Sequence, residues 1–188
     1  WETIAPYTIE EAYEVADAIE RQAWGELEGE LGDLLLQVVY FAQIGAEEGR
    51  FDLDAIARGV GDKMVARHPH VFGEESREKS ADQQVVDWEA QKAAERAARG
   101  ETRALDGVAL GLPALTRAAK LQKRAARVGF DWDEPAAVTA KIAEEAAELA
   151  EARGTGDADA MEDELGDLLF AVVNLGRHLG LDPEAALR

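Results

Sequence analysis

The string ELGDLL occurs twice, at residues 30–35 and 164–169, and each copy sets two acids one helical turn apart among leucines. Upstream of each copy stands EExxE, as Glu10, Glu11 and Glu14 and again as Glu144, Glu145 and Glu148. A single offset of 134 residues carries Glu10 onto Glu144, Glu11 onto Glu145 and Glu14 onto Glu148. The same offset carries Asp17 onto Glu151, Glu30 onto Glu164 and Asp33 onto Asp167. Carboxylates grouped in this way are hard oxygen ligands and suit Mg²⁺ or Mn²⁺. The chemistry they suggest is metal-dependent and repeated.

Helices are the elements that would aim these acids at one another. At about 100° per residue, Glu10, Glu14 and Asp17 share one face with Glu11 at its edge, while Ala12, Val15, Ala16 and Ile19 take the other. In the second copy Ile142, Ala146, Leu149 and Ala150 lie behind Glu144, Glu148 and Glu151. The ELGDLL helix differs, because Leu31, Leu34, Leu35, Leu36, Val38, Val39 and Phe41 surround Glu30 and Asp33 almost completely. That pattern predicts a helix buried in a bundle. Buried charge is costly unless compensated, and a metal shared between the two antiparallel helices is the expected compensation. A ferritin-like di-iron bundle would need Glu-x-x-His. Neither His68, His70 nor His178 follows a glutamate by three.

The chain has 188 residues, of which 47% are apolar and 6% aromatic, so it can bury a core and leans helical. Its 39 acids against 20 lysines and arginines give a formal charge of −19, which argues against a nucleic-acid surface. A phosphate compound could still bind, provided cations bridge acid to phosphate. With no cysteine there is neither a disulfide framework nor a thiolate metal site. No apolar run reaches the ~18–20 residues of a bilayer span, and no basic-then-apolar leader opens the chain. A cytoplasmic protein without membrane contact is expected.

Periodicity and break residues predict helices at 8–21, 26–48, 53–67, 80–99, 113–128, 135–153 and 159–179, with another starting near 182. Asp52 and Asp157 are candidate caps, and Pro135 and Pro183 suit first turns. HPH at 68–70 reads as helix termination and loop packing, with metal binding as the alternative. Trp24 and Trp88 read as packing or interface residues. These segments divide the chain into a first repeat (1–73), a charged linker or helix (74–112) and a second repeat (113–188).

The acidic register, with PYTIEEAYEV, GELGDLLLQVV, RHPHVFG, KLQKRAARVGFDW and GDLLFAVVNLGRHLG, resembles the MazG family of tandem-domain nucleoside triphosphate pyrophosphohydrolases. This family lies within the all-α NTP pyrophosphohydrolase superfamily. The resemblance runs along essentially the whole chain. It implies an all-α fold of tandem MazG-type four-helix-bundle repeats, completed by homodimerisation. It also implies Mg²⁺-dependent hydrolysis of NTPs and dNTPs, over a broad base range, to monophosphate and pyrophosphate. By resemblance Glu145, Glu148, Glu164 and Asp167 hold Mg²⁺, with Glu144 binding a further ion or helping to deprotonate water. Lys141, one turn before Glu144, can reach phosphate. Lys120, Lys123 and Arg124 supply clustered cations, and Phe130 and Trp132 stack on or wall in the base. An exposed basic helix with core aromatics is the alternative for that segment. Asn174 reads either as a ligand-facing amide or as a helix-surface asparagine.

The two repeats are not equivalent. The offset places Tyr7 where the second repeat has Lys141 and Tyr40 where it has Asn174, and within this chain KLQKR has no first-repeat counterpart. Catalysis is therefore expected in residues 113–188. The first repeat, with Glu11, Glu14, Glu30 and Asp33 as a possible second metal set, is expected to be structural or regulatory. In the other direction, FDLDAIARGVGDKMVARHP continues the first repeat with Lys63 and Arg67 one turn apart, whereas the second repeat reaches only LDPEAALR, where the matching helix begins. That helix supplies a lysine and an arginine to the phosphates in the family, so a truncated C-terminal helix is the corresponding expectation. The rival functions are a narrower pyrophosphohydrolase, of dUTPase or phosphoribosyl-ATP type, and a non-catalytic metal-binding helical regulator.

Overall fold

Helices and their connections account for all the regular structure among the described residues of the computed structural model, which are 1–73, 80–98, 100 and 103–188. In order they are α1 (Ala5–Glu20), α2 (Trp24–Glu47), α3 (Leu53–Arg67), the one-turn α4 (Pro69–Phe72) and α5 (Ala81–Ala98). There follow α6 (Ala114–Arg127), α7 (Pro135–Thr155), α8 (Ala158–His178) and the short α9 (Pro183–Leu187). The fold is all-α, as the composition and periodicity lead one to expect.

Caps and prolines explain where these helices begin. The Asp52 carboxylate accepts from the Ala55 amide at 2.7 Å and opens α3. Asp157 accepts from Asp159 and Ala160 at 3.1 and 3.2 Å, and Asp182 does the same for α9 through Glu184 and Ala185. Each satisfies amides that have no partner within the helix. Pro6, Pro135 and Pro183 occupy first turns, where the missing N–H costs nothing. Pro6 is why α1 starts at Ala5, three residues ahead of its predicted start.

The chain divides into two compact units, Trp1–Glu89 and Ala90–Arg188. In the first, α1 and α2 form a helical hairpin, α3 leans on α2, and α4 follows α3. In the second, α7 and α8 form the matching hairpin, α6 lies against α8, and α9 touches both α6 and α8. Of the charged stretch 74–112, residues 74–79, 99, 101 and 102 lie outside the described ones, and much of the remainder is α5.

The hairpin turns repeat as the acids do. Ala23 N–H bonds to the Ala18 carbonyl at 2.8 Å across a turn whose central residue, Gln22, is left-handed with φ 57°. The residue 134 positions later is Gly156, at φ 76°. Farther along, the turn made by Gly49 on Ala46 and Arg50 on Gly45 recurs as Gly180 on Arg177 and Leu181 on Gly176. Here the offset has fallen to 131, so the second hairpin arm is three residues shorter.

The ELGDLL helices are not covered on all sides, contrary to the buried-bundle expectation. Leu35 is 59% and Leu169 49% exposed, and Leu31, Leu36, Leu165 and Val172 are similarly open. Within each unit the helices packed on α2 or α8 leave an apolar flank without a neighbour. The buried apolar side chains among the described residues are all small, namely Ala18, Ala42, Val138, Ala152, Ala171 and Val173. No helix among the described residues is long and apolar enough to cross a membrane.

Aromatic contacts serve packing in the first unit. Trp1 stacks on Phe41 with centroids 5.6 Å apart, and the Arg67 guanidinium lies 4.9 Å from the centre of the Trp88 ring. His68 also meets Trp88, and its Nδ1 is 2.8 Å from the Met64 carbonyl. That gives the HPH segment a packing role through its first histidine; the side chain of His70 lies outside the described residues. Trp24 is 63% exposed.

A non-glycine residue in the left-handed region is strained by roughly 1–2 kcal/mol, partly offset by the entropy glycine brings to the unfolded chain. Gln22→Gly should therefore stabilise the first unit by about 1 kcal/mol, and Gly156→Gln should destabilise the second by about as much. Urea denaturation of both variants checks this. Unchanged midpoints would show that these residues do not govern the turns.

Candidate functional site

The short 156–157 connection folds α7 back on α8 and brings the two acidic motifs together. Oxygens from Glu145 on α7 and from Glu164 and Asp167 on α8 all lie within 4.8 Å of one another. Glu148, one turn beyond Glu145, is in hydrogen-bonding contact with it. Glu145 is the innermost, its side chain 5% exposed, whereas Glu144 is 55% exposed on the rim. Lys141 reaches both, with its Nζ 2.9 Å from Glu144 and 2.7 Å from Glu145.

The protonation tendencies follow from this crowding. The Lys141 hydrogen bond holds the Glu145 carboxyl below its ordinary range, against the cost of burial. The neighbours go the other way. Glu148 is raised by its hydrogen bond to the charged Glu145, then by burial and repulsion, and Glu164 by burial and then by Glu145. Lys141 is held firmly protonated by the two glutamates it bonds. Apart from Lys141, the group lacks a compensating cation among these contacts. Several hard oxygens from two rigid helices, clustered with excess negative charge, fit a divalent cation such as Mg²⁺ in donor type and in charge.

The first unit repeats the acids but not their compensation. Glu11 and Glu14 on α1 and Glu30 on α2 bring oxygens within 4.8 Å of one another. Glu11 and Glu30 are both raised by burial first and then by neighbouring acids, with Asp33 repelling each. Tyr7 stands at the position of Lys141, 55% exposed. Buried Gln37 approaches Glu11 at 3.5 Å, where the second unit has only the methyl group of Ala171.

Beyond the acids, α8 continues the same face. Glu164, Asp167, Ala171 and Asn174 recur at steps of three and four, and Asn174 stands roughly 10 Å along the axis from Asp167. Asn174 is 2% exposed, which removes the helix-surface alternative. With Leu121, Gln122, Phe130, Trp132 and Phe170 it lines a mainly apolar pocket of about 200 Å³. The residues of KLQKR are divided. Lys120 and Lys123 line a separate cleft of about 360 Å³ with Thr116, Arg177 and Asp182, while Arg124 donates to the Gly107 carbonyl at 3.4 Å.

Three residues that sequence reasoning did not single out belong to these surroundings. Asp131 pairs with Arg177 and lies 3.4 Å from His178, tying the loop before α7 to the end of α8. Burial pushes the Asp131 carboxyl up, but the hydrogen bond and charge of Arg177, the Trp132 amide and His178 together hold the group below its usual range. Gln122 is 4% exposed and donates through Nε2 to the Phe170 carbonyl at 2.7 Å. Its signal was present in the sequence, since it interrupts the helical stripe of Leu115, Ala118 and Ala125.

A carboxyl raised in the folded chain binds more protons there than in the unfolded chain, so its effect is to lower stability as pH rises through that window. Glu11, Glu30, Glu148 and Glu164 all act in this sense above 4.5, while depressed Glu145 and Asp131 lose their contribution only as pH falls below their ordinary values. Without divalent cations, the melting temperature should rise as pH is lowered from about 8 to about 5 and fall again in stronger acid. Glu164→Gln should flatten the rise. A steady fall from about pH 8 downward contradicts this reading of the cluster.

Comparison with known proteins places both hairpins within one domain family. The profile of the MazG nucleotide pyrophosphohydrolase domain matches residues 1–72 and 133–186, the segments that hold the two acidic hairpins. The chain is 52% identical over 188 residues to the nucleoside triphosphate pyrophosphohydrolase of Escherichia coli (strain K12), covering 99% of this chain and 71% of that one. It is 44% identical over 187 residues to the nucleoside triphosphate pyrophosphohydrolase/pyrophosphatase MazG of Thermotoga maritima, covering 100% and 70%. It is also 42% identical over 187 residues to the uncharacterized protein YabN of Bacillus subtilis, covering 99% and 38%. The two matched segments and the identity along the full chain lead to one assignment: this chain belongs to the MazG nucleotide pyrophosphohydrolase family.

Proposed function

We propose that the second unit hydrolyses nucleoside triphosphates, NTPs and dNTPs over a broad base range, to nucleoside monophosphate and pyrophosphate with Mg²⁺ or Mn²⁺. The observation that carries this reading is the shared face of α8, where Glu164 and Asp167 join Glu145 at one end and Asn174 meets an apolar pocket at the other. Anionic phosphates and a flat, weakly polar base are the two ends of one ligand that such a face suits. A cytoplasmic setting belongs to the same reading.

The work divides among the residues by position. Glu145, Glu148, Glu164 and Asp167 would hold the cation. When bound, it neutralises the polyphosphate and acidifies water. Glu144, exposed on the rim, is placed to accept the proton of the attacking water or to bind a further ion. Lys141, held by Glu144 and Glu145, keeps a positive charge next to the phosphates. Phe130 and Trp132 wall the base, Asn174 lends an amide, and Lys120, Lys123 and Arg124 give positive potential to an otherwise acidic surface.

Phosphorus NMR of products from mixed NTPs with Mg²⁺ should show pyrophosphate and monophosphates. Orthophosphate with diphosphates would sink the proposal, and turnover of a single nucleotide would turn it into a narrower pyrophosphohydrolase. Asp167→Ala and Glu148→Ala should lose at least about a hundredfold in kcat while helical circular dichroism persists. If Glu14→Ala or Asp33→Ala suffers that loss instead, the active unit has been misassigned.

The open leucine flanks of α2 and α8 support a homodimer within the same proposal, because exposed apolar patches on helices mark association surfaces. Sedimentation equilibrium should give twice the chain mass of 20.4 kDa, and Leu35→Glu or Leu169→Glu should shift it toward monomer. A wild-type chain that stays monomeric at high micromolar concentration contradicts this.

A further inference from the structure

Gln122 carries an unexplained polar atom. The side chain is 4% exposed in the middle of α6, and its Oε1 is buried without a hydrogen-bond partner. The orientation of the amide is not ambiguous. Only its nitrogen can donate to the Phe170 carbonyl, 2.7 Å away, so the oxygen is the end left over. Buried acceptors are nearly always satisfied in folded proteins. Gln122 is one of the residues that line the pocket walled by Leu121, Phe130, Trp132 and Phe170, where Asn174 supplies the other amide and its oxygen accepts from Arg177 at 3.4 Å.

The pocket, at about 200 Å³, is smaller than the ~300–1,000 Å³ that encloses a whole drug-sized ligand, and suits a single planar ring system. We propose that Gln122 reads the base of the nucleotide, its Oε1 accepting a hydrogen bond from an N–H on the base edge. The proposal rests on the pyrophosphohydrolase reading and deepens it. Every common base offers such a donor: the amino groups of adenine and cytosine, N1–H and the amino group of guanine, and N3–H of uracil and thymine. One fixed acceptor thus accommodates a broad base range and disfavours rings that carry no N–H. A purely apolar slot would accept both.

The test compares ATP with purine riboside triphosphate, which keeps the purine ring and lacks the amino group. CTP against 2-pyrimidinone riboside triphosphate repeats the comparison on the smaller ring. In the unmodified chain, kcat/KM should favour the amino-bearing nucleotide at least about tenfold in both pairs, the discrimination expected when a buried acceptor loses its donor. Gln122→Met, similar in volume, should bring both ratios close to one, chiefly by weakening ATP and CTP. Ratios near one in the unmodified chain, or ratios that survive in Gln122→Met, overturn the proposal and leave the amide only a tie between α6 and α8. Should Gln122→Met fail to fold, the two ratios in the unmodified chain still decide. Release of pyrophosphate from none of the four nucleotides would instead defeat the pyrophosphohydrolase reading, and calorimetric dissociation constants for the same pairs would then decide the pocket by the same ratios.

Discussion

Like charges held close together on rigid helices are the constraint on which the rest of this structure depends. Glu145, Glu164 and Asp167 bring their oxygens within 4.8 Å of one another across the α7–α8 hairpin, and Lys141 meets the group with opposite charge through Glu145. Helix packing holds them there, because Val138, Ala152, Ala171 and Val173 are small and buried where the helices approach. Holding mutually repelling groups together, with Glu145 buried among them, costs stability, and the proposed cation would offset that cost.

The asymmetry of the two units comes from few positions. The acids and the left-handed hairpin turn are held in common, and these define the hairpin, whereas Asp157 caps α8 where α2 has Ala23 and no side-chain cap. Lys141 against Tyr7, Ala171 against Gln37 and Asn174 against Tyr40 are not held in common, and all three lie around the acidic face. In the first unit the Gln37 amide reaches toward Glu11, whereas Ala171 at the matching position of the second has no group to do so. The repeated residues build the frame, and in the proposed function the unrepeated ones equip one copy for a ligand.

Much of this was legible in the residues themselves. The 3.6-residue period, the aspartate caps and first-turn prolines locate helices to within a few residues, because those signals are local. The acidic register was readable because two copies share one offset. Burial was not. A leucine-rich helix announces that it wants neighbours without saying whether they lie in the same chain, and Leu35 and Leu169 remain open here. Cations drew attention to KLQKR, yet the chain sends Lys120 and Lys123 to one cleft, Arg124 to a backbone carbonyl and Gln122 to the apolar pocket. Which flank of α6 faces α8 depends on tertiary packing, and so does the pairing of Asp131 with Arg177 across 46 residues.

In the proposed function the α7–α8 carboxylates form a divalent-cation site. Electron paramagnetic resonance of Mn²⁺ titrated into the chain tests it directly, since bound and free ions differ in signal. A bound population that Glu145→Gln removes and Glu11→Gln leaves in place is the expected result. A signal that stays that of free Mn²⁺, or a bound population that survives Glu145→Gln, would contradict it.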